Sequence, residues 1–557
     1  MKAFRKFPAI QSHAAMLTIQ LLVGVVVIGI IFWKLQFSTT AICCGDYDGY
    51  YHIKWSQMLW ESIRNKNFPP RFNWLPLTTL NARDYVDHHL LFHFLQIPFT
   101  WFRDIRLGVK VASTIFASLA VISCYCVILR YRIRYPLVWL LALLACSSPF
   151  LFRLNMAKAP PLAIIFTIVG IHLLFTRRYW LLVPLAFVFT LAYDMFLLLF
   201  VAVCIWVMVV GWTERKFEWR PLAWVVLGIA GGLIINPYFP RNLQLLYEHA
   251  TTKITPADFS TKVGSEWYPY NSWEFLGNSL VACAAMVTGY IAFDTSDRKR
   301  SQYPLFVLIF STVLLVMTAR WKRIAEYWPP FAVLFAAFTL HPWLTGARSV
   351  FTHLPSDVLL ELQPFLDRDI TIGESNGNYR ELLQTIGVAV VAVALGTVLF
   401  FNLRVTSGDI RASSPHEFYK NGATWLRNNV PPQQMIFNTD WDDFPRLFYY
   451  DPSHWYVTGL DPGYLFDKNP DLSEIYDRIT LGEEEDPGPL IRDRFGARYV
   501  FSDNSHHDFF MNAQDSGWFE IVYEDKDCTI MHIRDEKVVS RDESNVSKEM
   551  PTGPILK

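Results

Sequence analysis

Apolar runs separated by short polar breaks follow one another from the N-terminus to Leu403. The first, 15–35, is about twice as long as the apolar core of a secretory leader and has no small-residue cleavage site after it, so it predicts a retained membrane span. Further runs long enough to cross a bilayer lie near 107–129, 136–152, 160–175, 179–192, 195–212, 221–237, 277–294, 303–319, 327–343 and 382–402. The pattern therefore predicts about eleven transmembrane helices. Beyond 403 it changes: short β-rich runs at 435–438, 498–502, 519–523 and 529–532 alternate with helical stretches, as in a small α/β domain over 404–537. Residues 538–557 are polar and aperiodic, which predicts a disordered tail. Within 344–381 only a short amphipathic helix near 358–366 is predicted.

Basic residues orient the spans, because short loops kept in the cytoplasm are enriched in Lys and Arg. Lys2, Arg5 and Lys6 place the N-terminus inside, and RYRIR (130–134), TRR (176–178), TERK (213–216) and DRKR (297–300) agree with that assignment. An odd number of spans then exports everything after 403. It also exports the loops 36–106 and 238–276 and the turns at 153–159, 194 and 320–326. The expected setting is a multi-pass protein of the cell (inner) membrane with an extracytoplasmic C-terminal domain.

Composition supports this reading, since 52% of the 557 residues are hydrophobic and only 18% charged. Fifty basic residues balance fifty acidic ones, which leaves no electrostatic case for nucleic-acid binding. Eight scattered cysteines form neither a disulfide framework nor a zinc-ligand spacing, and the adjacent pair Cys43 and Cys44 is read as ordinary.

Candidate chemistry gathers in the exported pieces. The first loop carries GDYDGYYH at 45–52 and RDYVDHHLLFH at 83–93. Carboxylates beside imidazoles can hold a divalent cation or take a proton from a hydroxyl, which makes Asp46 and Asp48 catalytic candidates. Asp87 is placed to cap a helix from His88 to about Phe102, with His89 and His93 on one face at i, i+4 spacing. Asp87, His88, His89 and His93 thus join Asp46 and Asp48 as candidate ligands, and an N-cap with packed histidines is the alternative. In TARWKRIAEYWPP, Arg320, Arg323 and Tyr327 fall at i, i+3, i+7, a spacing that suits a fork of donors around a phosphate. Arg153 and Lys158 add positive charge on the same side, and snorkelling to headgroups is the alternative reading.

An acidic motif after the first span, a long first loop, an Arg-x-x-Arg-x-x-x-Tyr stretch opening a late span and an exported C-terminal domain together resemble the GT-C membrane glycosyltransferases. The resemblance implies a polytopic α-helical GT-C-like domain over 1–403. It also implies a polyprenyl-phosphate or polyprenyl-diphosphate sugar donor, inversion at the anomeric carbon, and Asp46 or Asp48 as the first-loop catalytic acid. The nearest group is the oligosaccharyltransferase catalytic subunit. Glu266 in VGSEWYPYNSWEF is similar to that group's S-x-x-E loop glutamate, and Trp441 and Asp442 in TDWDDF resemble the centre of its acceptor-reading W-W-D-Y-G motif. These three are the acceptor-binding candidates. Where the group's second acidic pair falls, this chain has Lys158, Ala159 and Pro160. A divalent cation (Mg or Mn) in a rebuilt site and a metal-free mechanism both stay open. So does the acceptor, whether glycan, lipid or protein. Oligosaccharide transfer to protein is the second enzymatic reading, and a lipid-linked sugar transporter or scaffold is the non-catalytic one.

Overall fold

The computed structural model describes residues 13–44, 47–254, 264–294, 296–299, 301–345 and 376–538. Asp46, the helix expected near 358–366 and the tail beyond Val538 lie outside the described residues. The chain divides into two compact units, residues 1–70 with 86–416, and residues 71–85 with 417–557.

The first unit is helical. In chain order it contains α1 (His13–Gln36), α2 (Asp48–Arg64), α3 (Leu90–Gln96), α4 (Ile105–Arg130), α5 (Pro136–Ala145), α6 (Ser148–Leu154), α7 (Pro160–Phe175) and α8 (Leu182–Ala192). There follow α9 (Leu197–Glu214), α10 (Arg220–Ile235), α11 (Arg241–Ile254), α12 (Ser272–Asn278), α13 (Leu280–Ala292), α14 (Gln302–Arg320), α15 (Trp328–Leu344) and α16 (Asn376–Arg411). Among the described residues five segments are long and apolar enough to cross a membrane: Ala15–Gln36, Ile105–Arg130, Asp194–Glu214, Gln302–Arg320 and Gln384–Arg411. The number rises to seven if the bent pairs α5/α6 (82°) and α12/α13 (88°) each count as one span. The runs at 160–175, 179–192 and 221–237 form shorter helices. Much of α7 is buried among its neighbours, so there apolarity reports packing as much as length of crossing.

Both bends have local causes. Ser147 caps α6 by accepting from Phe150 N, and a proline follows in the first turn, so a new helix starts rather than α5 continuing. Asn271 caps α12 in the same manner, and Ser279 breaks it from α13. The two breaks meet, with Ser279 Oγ donating to Ser147 Oγ at 3.1 Å and Ala282 N to Cys146 O at 3.2 Å.

The basic turns gather at one end of the bundle. Arg177 pairs with Glu214, Gln302 Nε2 donates to Glu214 Oε1 at 3.2 Å, and Arg134 Nη1 donates to Leu344 O at 2.7 Å. The turns at 153–158, 193 and 321–327 lie at the other ends of α7, α9, α14 and α15.

Two expectations are corrected. The helix expected from His88 to about Phe102 starts at Leu90 and tightens into a 3-10 turn at Ile97–Trp101, where Pro98 removes a backbone donor. Cys43 and Cys44 are disulfide-bonded and buried against Leu35, Met156 and Ile410.

The second unit is a five-stranded sheet in the order β2-β1-β3-β5-β4 with helices packed against it. Strands β1 (Met435–Asn438), β2 (Trp455–Tyr456) and β3 (Ala497–Asp503) run parallel, while β4 (Phe519–Glu524) and β5 (Cys528–Ile533) add antiparallel strands. Phe437, Val457, Ile491, Val500 and Met531 lie in its core. The segment 71–85 of the first loop is part of this unit. Trp74 O accepts from Tyr456 N at 2.8 Å, Thr79 N donates to Tyr464 O at 3.0 Å, Lys468 pairs with Asp84 at 2.7 Å, and Leu77 packs on the core. The sequence pattern starts this domain at 404, whereas α16 continues to Arg411 and the contiguous part of the unit begins at Glu417.

Candidate active site

Asp48 opens α2, and its position depends on the residue after it. A Cβ on Gly49 would lie 2.7 Å from Ala157 Cβ and 2.8 Å from Ile42 Cγ2, closer than atoms pack, so only glycine lets α2 approach the turn after α6 this closely. That approach brings Lys158 Nζ to 2.8 Å from Asp48 Oδ2. Gln36 Nε2 donates to Asn155 O at 3.1 Å and ties the same turn to the end of α1. Lys158, a phosphate candidate from sequence, is thus the counter-charge of the candidate catalytic acid.

The arginines form a second group. Arg153, at the end of α6, donates from Nη2 to Glu266 Oε2 at 2.8 Å and from Nε to Glu326 Oε2 at 3.0 Å. Arg323 donates from Nη1 to Glu266 Oε1 at 2.5 Å and from Nη2 to the Tyr193 hydroxyl at 2.7 Å. Two guanidiniums therefore share the two oxygens of one carboxylate, with Glu326 buried behind them. Burial alone would raise the Glu266 carboxyl, but the Arg323, Arg153 and Lys158 charges hold it well below the usual carboxylate range. The loop bearing Glu266 is clasped by its own aromatics. Arg323 lies over the Trp267 ring at 5.3 Å, Lys322 over Tyr270 at 5.6 Å, and Lys322 N donates to Tyr268 O at 3.0 Å.

The expected helical face of Arg320, Arg323 and Tyr327 does not form. α14 stops at Arg320, a 3-10 turn spans Lys322–Glu326, and α15 begins at Trp328. Arg320 lies over the Trp321 ring, Tyr327 is wholly buried, and Arg323 shares Glu266 with Arg153.

A third group lines the first loop. Asp87 accepts from His89 N at 3.0 Å, from Trp55 Nε1 at 3.0 Å and from His93 Nδ1 at 2.8 Å, so it is both cap and anchor. His93 Nε2 lies 2.8 Å from His52 Nδ1. Asp87, the two His93 ring nitrogens and His52 Nδ1 are thus connected in series, ending at His52 Nε2. Among the described residues that nitrogen has no hydrogen-bond partner. Burial, reinforced by neighbouring charges, pushes both the His52 and His89 imidazoles well below their usual range. His89 stacks on the ring of Tyr193 at 5.2 Å and packs against His88 at 4.0 Å, which links this group to Arg323. His52 stands one turn after Asp48 on α2. That i, i+4 relation is the signal in the sequence for His52, and Glu326 has only its place three residues after Arg323.

No family model matches the chain, and no curated protein matches it. Solved structures do. The archaeal oligosaccharyltransferase AglB from Archaeoglobus fulgidus, in complex with an inhibitory peptide and a dolichol-phosphate, superposes with a TM-score of 0.59 at 12% identity, over 90% of this chain and 73% of that one. ArnT from Cupriavidus metallidurans, bound to undecaprenyl phosphate, gives 0.53 at 14% identity over 92% of this chain and 98% of that one. The arabinofuranosyltransferase AftD from Mycobacteria gives 0.50 at 12% identity over 93% and 40%. All three are GT-C glycosyltransferases. The chain has the GT-C fold.

On this GT-C scaffold the described residues, which do not include Asp46, do not form a ready-made site for a divalent cation. Asp48 is already paired with Lys158, the Asp87 oxygens are taken by three donors, and among the described residues no three His, Cys, Asp or Glu converge on a point. The His88 and His89 rings pack at 4.0 Å and those of His89 and His93 at 6.0 Å.

The acceptor candidates of the GT-C chain's second unit sit where parallel strands end, the edge at which open α/β sheets bind ligands. Trp441 and Asp442 lie in a 3-10 turn just after β1, capped by Asp440, whose Oδ1 accepts from Asp442 N at 3.4 Å. Thr439 Oγ1 donates to Ser502 Oγ at 2.9 Å and joins this turn to the end of β3, where His506 Nδ1 lies 2.6 Å from Asp503. Asp443 is buried with one oxygen lacking a hydrogen-bond partner. Burial, then the Asp442, Asp440 and Asp503 charges, push its carboxyl well above the usual range. Glu266, the third acceptor candidate, belongs to the first unit and to the arginine pair.

Proposed function

We propose that this chain is a membrane glycosyltransferase that transfers a sugar, with inversion, from a polyprenyl-phosphate-linked donor to an acceptor on the extracytoplasmic side. The observation that carries the reading is the pair of arginines converging on Glu266 from α6 and the 321–327 turn, with Arg153 five residues before Lys158 of the Asp48–Lys158 pair. Polyprenyl phosphates bound to AglB and ArnT support the donor class, and the segregation of basic turns at the far end of the bundle supports the orientation.

Arg153 and Arg323 bind the donor phosphate and stabilise the charge it gains on departure. Asp48 accepts the proton of the acceptor nucleophile as its bond to the anomeric carbon forms. The carbon–oxygen bond to phosphate breaks with its electron pair on the phosphate. Lys158 orients Asp48 for this step. Trp441 and Asp442 favour a peptide acceptor as a second reading, that of an oligosaccharyltransferase, because they keep the centre of that group's acceptor motif at a ligand-binding sheet edge.

Native mass spectrometry of gently extracted protein tests the donor. A co-purifying polyprenyl-phosphate sugar that is lost in the Arg153→Ala, Arg323→Ala variant supports the reading. Ordinary phospholipid alone in both samples would overturn it in favour of a transporter or scaffold.

A further inference from the structure

Glu266 occupies the place a phosphate would need. Its two oxygens are divided between Arg323 Nη1 at 2.5 Å and Arg153 Nη2 at 2.8 Å, and a phosphodiester offers two non-bridging oxygens in the same relation. The second carboxylate of the group is differently placed. Glu326 is 0% exposed and fixed to Arg153 at 3.0 Å, whereas the Glu266 side chain is 23% exposed and stands on a short turn at the surface of the group. One carboxylate is built in and the other can be exchanged.

Charge sets what can replace it. Among the described residues Arg153 and Arg323 balance Glu266 and Glu326, so this group of four charges is neutral as it stands. A phosphodiester carries one negative charge, as Glu266 does, and its entry as Glu266 leaves preserves that balance. A diphosphate diester carries two, and would leave an uncompensated negative charge beside the buried Glu326, a costly arrangement away from water.

We propose that Glu266 is an internal stand-in for the donor's phosphate: the seat between Arg153 and Arg323 takes a singly charged phosphodiester, and binding requires Glu266 to give up both guanidiniums. This rests on the donor-site reading above and adds to it a gate and a choice between mono- and diphosphate carriers. Because the ionised Glu266 competes for the seat, the apparent affinity of the donor is lowered by the fraction of time the seat is filled.

The test uses the full chain in detergent and two probes, farnesyl methyl phosphate with one charge and farnesyl methyl diphosphate with two, with binding read by titration and ligand-induced thermal shift. Glu266→Gln keeps the side chain's size and removes its charge. It is expected to bind the phosphodiester about tenfold or more tightly than the unmodified chain and to prefer it over the diphosphate. Adding Arg323→Ala to Glu266→Gln is expected to abolish that gain. Equal phosphodiester affinity with and without Glu266→Gln, together with loss of binding in Arg323→Ala alone, would overturn the exchange and leave the donor site standing. Binding of neither probe to any variant would overturn both. A preference of Glu266→Gln for the diphosphate would overturn the charge assignment. Should Glu266→Gln fail to fold, Glu266→Ser is measured against the same outcomes.

Discussion

The Lys158 ammonium lies 2.8 Å from the Asp48 carboxylate, from a turn where the oligosaccharyltransferase pattern would place carboxylates. A fixed monovalent cation thus faces the candidate catalytic acid. Asp48→Asn is expected to lower transfer about a hundredfold or more with the fold retained. Lys158→Met is expected to lower it about tenfold or more. Transfer of label from the co-purified lipid-linked donor, beside a thermal melt, checks both, and full activity in Asp48→Asn would remove the assignment.

Gly49 sets the spacing of that pair. Gly49→Val must push α2 away from Ala157 and draw Asp48 off Lys158, and a misplacement on the order of 1 Å costs about a hundredfold in rate. Gly211→Ala, in α9 where an added Cβ meets nothing within 4 Å, serves as the control and should leave transfer unchanged. Equal activity in the two variants would show that the close approach has no bearing on the reaction.

Asp87 and His93 are expected to be coupled energetically, since removing either takes from a buried group its 2.8 Å partner. Asp87→Ala and His93→Ala should each destabilise the first unit by about 3 kcal/mol or more. Their double variant should fall short of the sum by about 1–3 kcal/mol. Unfolding in mixed micelles measures the cycle, and simple additivity would contradict the coupling.

Asp443 gives a pH dependence with a definite sign. Its carboxyl is held well above the usual range by burial and by neighbouring carboxylates, so the folded second unit binds a proton that the unfolded chain releases above about pH 4. The stability linked to that proton is full below about pH 4 and declines as pH rises toward the raised folded value. Asp443→Asn, which cannot ionise, should stabilise the second unit by about 1 kcal/mol or more at neutral pH and little in acid. Limited proteolysis of 417–538 across pH reads this out, and equal protection of variant and parent at neutral pH would contradict it.

Local pattern carried much of the fold. The β-rich runs at 435–438 and 519–523 correspond to β1 (Met435–Asn438) and β4 (Phe519–Glu524) because alternation and turn residues are encoded within a few positions. The bends at Ser147 and Ser279 were not legible, since they depend on caps that meet across the bundle rather than on hydropathy. The site shows the same division. Arg153, Arg323, Glu266 and Lys158 stand out individually as charges in loops between apolar runs. Their pairing, Glu266 with arginines that lie 113 and 57 positions away and Lys158 with Asp48, is a tertiary fact that no spacing announces. Glu326 reads as an ordinary i, i+4 partner of Lys322 and is instead turned inward to Arg153.

The joining of 71–85 to the second unit makes that unit discontinuous in the chain. A fragment beginning at Glu417 would lack Trp74, Thr79 and Leu77, leaving the edge of β2 unpaired and part of its apolar core bare, so such a fragment is an aggregation hazard rather than a stand-alone domain. During synthesis, residues 71–85 emerge before nearly every helix of the first unit and must wait for partners made at the far end of the polypeptide. Chaperoning of that waiting segment, and fragment complementation by a chain split after His416, become properties of this protein's biogenesis rather than of its chemistry.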